Sequence, residues 1–242
     1  MTSSAAAALE ELFDVLDESG AKTGVARPRS EVHALGLLHR AVHVWLLAPS
    51  RGELLLQLRA RCKDSWPGRW DISCAGHLSA GDESAAAAER ELGEELGFAL
   101  EGARRPRLLF EHFERLDSLQ NGRPFRNHEF NDVYLLELSE EERARPGLGD
   151  FVLPPAGAEE GQGPAEAAAP VGANARWALQ RSEVEAVRWV PFREVLAMYE
   201  RGDEAIVPLG EDKLRLSYRR LFDECERVCA QWAGRAAGEA PR

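Results

Sequence analysis

No run of apolar residues in this 242-residue chain reaches the ~18 needed to cross a bilayer as a helix, so no membrane partner is expected. The first eleven residues lack an Arg-rich or signal-peptide character and turn acidic at Glu10 and Glu11. Cysteine is scarce. Cys62, Cys74, Cys225 and Cys229 fit no zinc-ligand spacing and read as structural or incidental thiols. Together these absences place the chain in a reducing, soluble compartment, most simply cytoplasmic. Positive charge is outweighed, with 30 Lys and Arg against 41 Asp and Glu, a net charge of −11. That excludes nucleic acid as a partner bound through a basic surface. It leaves phosphate chemistry open on one condition, that a divalent cation stands between anionic protein and anionic substrate. Internal repeats are absent.

What remains is ordinarily globular and long enough for one domain with a real core. Alternation predicts a strand over residues 13–17, and apolar runs predict strands at 43–47 and 53–58 around a turn at 49–52. A short strand is expected at 70–74 after a turn at 66–68. Two more, at 108–116 and 125–138, flank a turn near Asn121-Gly122. A strand at 183–190 precedes a short helix from Pro191, and 213–232 reads as a long amphipathic helix. Residues 145–176, dense in Gly, Pro, Ala and Glu, read as a disordered insertion. Interleaved strands and helices predict an α/β (α+β) class, a mixed sheet covered by helices. The expected organisation is an N-terminal extension with the first strand over 1–30, one domain over 31–202, and a C-terminal helix over 203–242 packed on it.

The best helix in the sequence spans residues 84–96. Ala85, Ala88, Leu92 and Leu96 make its apolar stripe, Ser84 or Asp82 is placed to cap its start, and Gly97 to end it. On the opposite face Glu91, Glu94 and Glu95 stand at i, i+3 and i+4. Like charges there cost a few tenths of a kcal/mol per pair, roughly, with nothing between them. A hard cation such as Mg²⁺ reverses the sign, because it prefers carboxylate oxygens. It can also bind a diphosphate and lower the pKa of a bound water. Arg90 is an adjacent fixed cation able to orient a glutamate. Alone, three glutamates on a helix are usually a solvated acidic face.

The surroundings change that balance. The stretch Gly76 to Phe98, GHLSAGDESAAAAERELGEELGF, resembles the signature of the Nudix family. Gly76, Arg90, Glu91, Leu92, Glu94, Glu95, Gly97 and Phe98 all match. Six of these are single-residue requirements, each met by chance roughly one time in fifteen, so coincidence is remote. Asp82 departs: it stands where the signature has its first Glu, keeping the carboxylate with a shorter reach. The resemblance implies an α/β/α sandwich with a mixed sheet. It implies Mg²⁺ or Mn²⁺ held by Glu91, Glu94 and Glu95, with Gly76 and Glu129 as further metal contacts. Glu91, Glu94 and Arg90 form the implied catalytic group, and the implied partner is a small-molecule diphosphate attacked by water at phosphorus.

Beyond the signature, residues 13–138 look like the branch that includes type I isopentenyl-diphosphate isomerases and their hydrolase relatives. His33, His39, the run from Lys63 to Gly68, Trp70, Gly76-His77 and Glu129 carry that likeness. In the isomerases, matching histidines and glutamates form a second metal site. His39, His77 and Glu129 map residue by residue, His33 with a one-residue gap, and Asn127 stands where the isomerase has another glutamate. The ordinary reading of a lone His beside a strand is a hydrogen-bonded structural residue, and His43 is read as packing. Lys63, Arg59 and Arg126 are candidate phosphate contacts, with solvated surface as the alternative. Trp45, Trp66, Trp70 and Phe113 could stack on a base or enclose a prenyl chain, though core is the commoner fate.

Isomerase chemistry needs a cysteine just before Gly-His. Ala75 holds that position and Cys74 comes one residue early, where an extended chain points it to the opposite face. A hydrolase acting on a nucleoside diphosphate derivative or an isoprenyl diphosphate is therefore preferred. Isopentenyl-diphosphate isomerase is the second reading, and a Nudix-shaped module that binds a diphosphate without cleaving it is the third. Many relatives are dimers, which leaves a homodimer open. Some carry a fused second domain, not expected in a chain that ends after one long helix.

Overall fold

The apolar runs on either side of the 49–52 turn form a hairpin in the computed structural model. β3 (His39–Ala48) turns into β4 (Glu53–Arg59), with Gly52 at φ +65° closing the turn. The structure describes residues 10–63, 65–98, 100, 104–120, 122–143 and 179–238. The expected insertion at 145–176, most of the N-terminal lead, and Asn121 lie outside these.

β3 and β4 share only the pairs Leu47 with Leu54 and Ala48 with Glu53, and then part. β6 (Cys74–His77) enters beside β3, antiparallel across Ala41 to Val44. β5 (Trp70–Asp71) and β9 (Val184–Pro191) pair with β4. Ser73 holds the fork: its hydroxyl donates to the Leu55 carbonyl at 2.6 Å and accepts from the Leu46 N–H at 2.9 Å. This corrects the single strand expected over 70–74. Ile72 and Ser73 carry the chain from β4 across to β3, so two short strands form.

On the other side of β3, β8 (Arg123–Glu137) runs parallel through nine register pairs, from His39 with Glu129 to Leu47 with Glu137. β7 (Arg107–Gln120) makes a long antiparallel hairpin with β8 around Gly122 at φ +73°. Among the described residues these seven strands form one mixed sheet.

Alternation along β3 sorts side chains to two faces. Trp45 and Leu47 join Leu54, Leu56, Val133 and Leu135 in a core covered by α4 (Phe192–Glu200) and α6 (Arg219–Gly238). Val44 and Leu46 join Leu55, Tyr134 and Leu136 beneath α2 (Ser84–Leu96), which contributes Ala87, Ala88, Leu92 and Leu96. Each such large aliphatic side chain contributes roughly 1.5–3 kcal/mol by leaving water. The architecture is the α/β/α sandwich the sequence implied.

Several local expectations shift. Ala87 rather than Ala85 completes the buried stripe of α2. Neither Ser84 nor Asp82 caps that helix: Glu83 is the N-cap without a side-chain bond, and the Ser84 hydroxyl lies 2.8 Å from that of Tyr134. Gly97 does end it, at φ +63°, its N–H donating to the Leu92 carbonyl. β2 (Lys22–Pro28) pairs with β1 (Leu12–Leu16) as a separate two-stranded sheet, and α1 (Arg29–Leu35) follows. Neither β2 nor α1 was anticipated, because their exposed residues show no strict alternation or stripe. α3 (Glu140–Arg143) follows β8. The expected C-terminal helix starts as α5 (Glu211–Lys213) and passes through a π-helical turn, Leu214–Tyr218, before α6. No helix among the described residues is long and apolar enough to cross a membrane.

Candidate active site

β6 runs beside the acidic face of α2, and one glycine lets them meet. A Cβ on Gly76 would overlap the Glu91 carboxylate, so any other residue there displaces it. One turn on, Glu95 Oε2 accepts from the Ala75 N–H at 3.3 Å and from Gln57 Nε2 at 3.4 Å. Arg90 Nη1 stands 2.9 Å from both Glu91 Oε1 and Glu94 Oε2, and its Nη2 donates to the His77 carbonyl at 3.1 Å. The same guanidinium lies 3.7 Å from Asp82, whose shorter side chain still reaches its neighbourhood.

Glu91 and Glu95 are buried, while Glu94 faces solvent. Burial raises Glu95 to about 8, and the nearby Glu91 charge adds to it. Burial raises Glu91 to about 6 against the pull of Arg90. Two buried carboxylates so placed are poorly stabilised as anions by the protein alone. A hard divalent cation is the partner that suits this donor set, and Glu91, Glu94 and Glu95 could hold one.

A second group gathers on the sheet. His39 opens β3, His77 closes β6, and His33 comes from α1. Their candidate ligand nitrogens lie within 4.8 Å of one another. Glu129 is the register partner of His39, and its Oε2 lies 3.7 Å from His39 Nε2 and 3.5 Å from His77 Nε2. Phe13 stacks on His39 and His77, and Phe125 on His33. Burial pushes His33 and His39 down to about 4, so both are neutral at pH 7. Their Nδ1 atoms face the Arg29 and Leu37 carbonyls at 3.0 Å, which fixes the proton there because a carbonyl only accepts. Each Nε2 is then a bare lone pair, and neither has a hydrogen-bond partner among the described residues. Neutral imidazoles with oriented lone pairs fit metal ligation.

One cleft of about 1090 Å³ is lined by Arg90, Glu91, Glu94 and Glu95 and, from the second group, by His77 and Glu129, while His33 and His39 lie behind its lining. Lys63 and Arg59 also line it, but each is engaged: Lys63 pairs with Glu183, and Arg59 reaches Asp71 at 2.9 Å and the Ser65 hydroxyl at 3.0 Å. Arg126 does not line the cleft; it donates to the Ala34 carbonyl of α1 at 2.8 Å.

The NUDIX domain model matches residues 37–152. Nudix hydrolase 3 of Arabidopsis thaliana is 43% identical over 222 residues, 91% of this chain and 24% of that protein. An isopentenyl-diphosphate Δ-isomerase of Serratia proteamaculans is 33% identical over 153 residues, 57% of this chain and 84% of the relative. The chain belongs to the Nudix family. It spans about a quarter of the length of Nudix hydrolase 3. The crystal structure of DR0079 from Deinococcus radiodurans shares the fold, with a TM-score of 0.52 at 18% identity over 90% of this chain and 99% of that one.

Within this Nudix domain the aromatic candidates separate. Trp45 and Trp70 are core, Phe113 packs on Phe130 with ring centres 4.7 Å apart, and Trp66 lines the cleft, 38% exposed. Cys74 is fully buried beneath α2, while Ala75 lines the cleft. Burial pushes the Cys74 thiol up, away from reactivity. Sequence reasoning missed His43, which lines the cleft instead of merely packing. Its signal was available: His39, Ala41 and His43 lie at a period of two, on the face that His39 already marked.

Proposed function

We propose that the chain is a metal-dependent Nudix hydrolase that cleaves a diphosphate bond in a small organic diphosphate, a nucleoside diphosphate derivative or an isoprenyl diphosphate. The observation that carries this reading is the seat of the Glu91 carboxylate on Gly76, with Glu95 and the Arg90-held Glu94 beside it on one cleft wall. Glu91, Glu94 and Glu95, with Gly76, would hold Mg²⁺ or Mn²⁺. Such an ion supplies charge neutralisation of the diphosphate and makes a water more acidic. Glu91, seated against Gly76, would act either as a ligand of that ion or as the base that takes a proton from water. Arg90 fixes the geometry of Glu91 and Glu94. His33, His39, His77 and Glu129 would serve a second cation or the substrate directly.

The position of Cys74 argues against isomerisation, because its sulfur lies in the core under α2 and not on the cleft. A binding module would not require all three glutamates. The test is product release with Mg²⁺ or Mn²⁺ across ADP-ribose, other nucleoside diphosphate derivatives, and isopentenyl and dimethylallyl diphosphate. Glu94→Gln is expected to lower kcat by about 100-fold or more on whichever member is cleaved. Conversion of isopentenyl diphosphate to its isomer without cleavage of any member would overturn the reading.

A further inference from the structure

The floor of the cleft is polar where the sheet beneath it continues into apolar core. Along β3, His43 lines the cleft, and Trp45, two residues on, is core. The π-helical turn packs against this part of the sheet. Tyr218 is fully buried, its ring edge-on to Phe110 and Trp45 and its hydroxyl bonded to His43 Nδ1. Lys213, at the other end of the turn, lines the cleft, 2.6 Å from Glu114 and 5.4 Å from the Tyr218 ring centre. Beside Ala41 and His112 in register lies Asn131, wholly buried, neither of its amide atoms hydrogen-bonded among the described residues.

The turn explains why Lys213 and Tyr218 meet. At 3.6 residues per turn, residues five apart diverge by about 140° around a helix. Bonds from i to i+5 bring them back to nearly the same side. The extra residue thus aims an ammonium and a phenol at one patch of sheet.

Hydrogen-bond direction follows from satisfaction. The buried Tyr218 hydroxyl has no other partner among the described residues, so its proton goes to His43 Nδ1. Burial, reinforced by Lys213, keeps the imidazole neutral. A neutral ring accepting at Nδ1 carries its own proton on Nε2. That N–H has no protein partner among the described residues, on a side chain that lines the cleft.

We propose that His43 Nε2–H and Lys213 Nζ are specificity-determining donors for a substrate whose organic portion presents oxygen acceptors to this floor, and that Tyr218 is the residue that positions them. This rests on the reading of the cleft as the diphosphate site. A hydrocarbon portion seated here would leave the His43 Nε2–H desolvated without a partner and Lys213 Nζ with Glu114 alone, and sites built to hydrogen-bond discriminate strongly against analogues lacking the group. The donors are placed to favour the oxygen-bearing class of candidate substrate over the isoprenyl class.

The experiment compares kcat/KM for ADP-ribose with that for isopentenyl diphosphate in wild type, Tyr218→Phe and Lys213→Met, each checked by thermal melting. Wild type is expected to favour ADP-ribose, and each variant to lower the ratio about tenfold or more, chiefly through KM. Phenylalanine keeps the buried ring, so a merely structural tyrosine would leave the ratio unmoved. A wild type that prefers isopentenyl diphosphate, or variants that lower both substrates equally, would overturn the proposal. If wild type cleaves neither, the hydrolase reading is decided by the rest of its panel, and calorimetric binding of ADP-ribose in Ca²⁺ decides the subsite separately. Tenfold weaker binding by Tyr218→Phe supports it; equal or undetectable binding by both proteins rejects it.

Discussion

Gly76 has no side chain, and its contribution to the site is the space this leaves for the Glu91 carboxylate. Gly76→Ala is expected to lower kcat by about 100-fold, because a displacement of about 1 Å at a reacting group has that effect. Thermal melting should show a modest loss beside it, and wild-type turnover in that variant would refute the assignment. Arg90 and the three glutamates were legible in the sequence because short-range spacing fixes them on one helix, and Gly76 was legible through the resemblance to the family signature. His43, Lys213 and Tyr218 were not. Tyr218 lies 175 residues from His43, and no local pattern records a partner that far away. Of the chain's three lysines, Lys22, Lys63 and Lys213, sequence reasoning selected Lys63, which is paired with Glu183. It passed over Lys213 because an isolated lysine on an amphipathic helix reads as surface.

At the scale of elements, α6 is tied to the sheet by Glu224. Its carboxylate accepts from Arg227 on the same helix and from Arg107 at the start of β7. The Arg227 bonds, followed by those of Arg107, hold it down at about 2 against an ordinary value of 4.5. A depressed carboxylate stabilises the fold above its unfolded value and ceases to as pH falls through its folded one. Glu224→Gln should therefore lose roughly 1–2 kcal/mol near pH 7, with the deficit shrinking from pH 4.5 downward toward about pH 2. Denaturant titrations of both proteins at pH 7, 5, 4 and 3 measure this, and a deficit independent of pH would refute it. Elements with a clean period were legible in advance, among them α2, β3, β4 and the β7–β8 hairpin. β2 and α1 were not, since most of their residues face solvent. The split at residues 72–73 was hidden because it depends on where the Ser73 hydroxyl finds its partners.

For the molecule as a whole, net charge and site chemistry act together. A chain at −11 that gathers Glu91, Glu94 and Glu95 on one wall carries a local electrostatic cost that a bound divalent cation would relieve. An ion that binds only the folded state stabilises it by about 2.7 kcal/mol at a hundredfold excess over its Kd. Melting temperature should accordingly rise with Mn²⁺ or Mg²⁺, fall back on chelation, and respond less in Glu95→Gln. A response as large in Glu95→Gln as in wild type would separate the ion from these carboxylates. The fold class was readable at this scale because interleaved strands and helices admit few layered solutions. The way the cleft joins two polar groups was not, because it follows from a parallel strand pair that no composition reveals.

That parallel pair has a consequence for how the protein reaches its working form. His39 and Glu129 are direct neighbours across β3 and β8, yet ninety residues of chain separate them. The first turns of α2 and the β3–β4 hairpin need only local contacts, and local contacts form early. The histidine–carboxylate cluster cannot assemble until the crossover has closed that long loop. It belongs to the slow end of folding, so a chain still searching for its topology carries the glutamate helix without the floor that faces it.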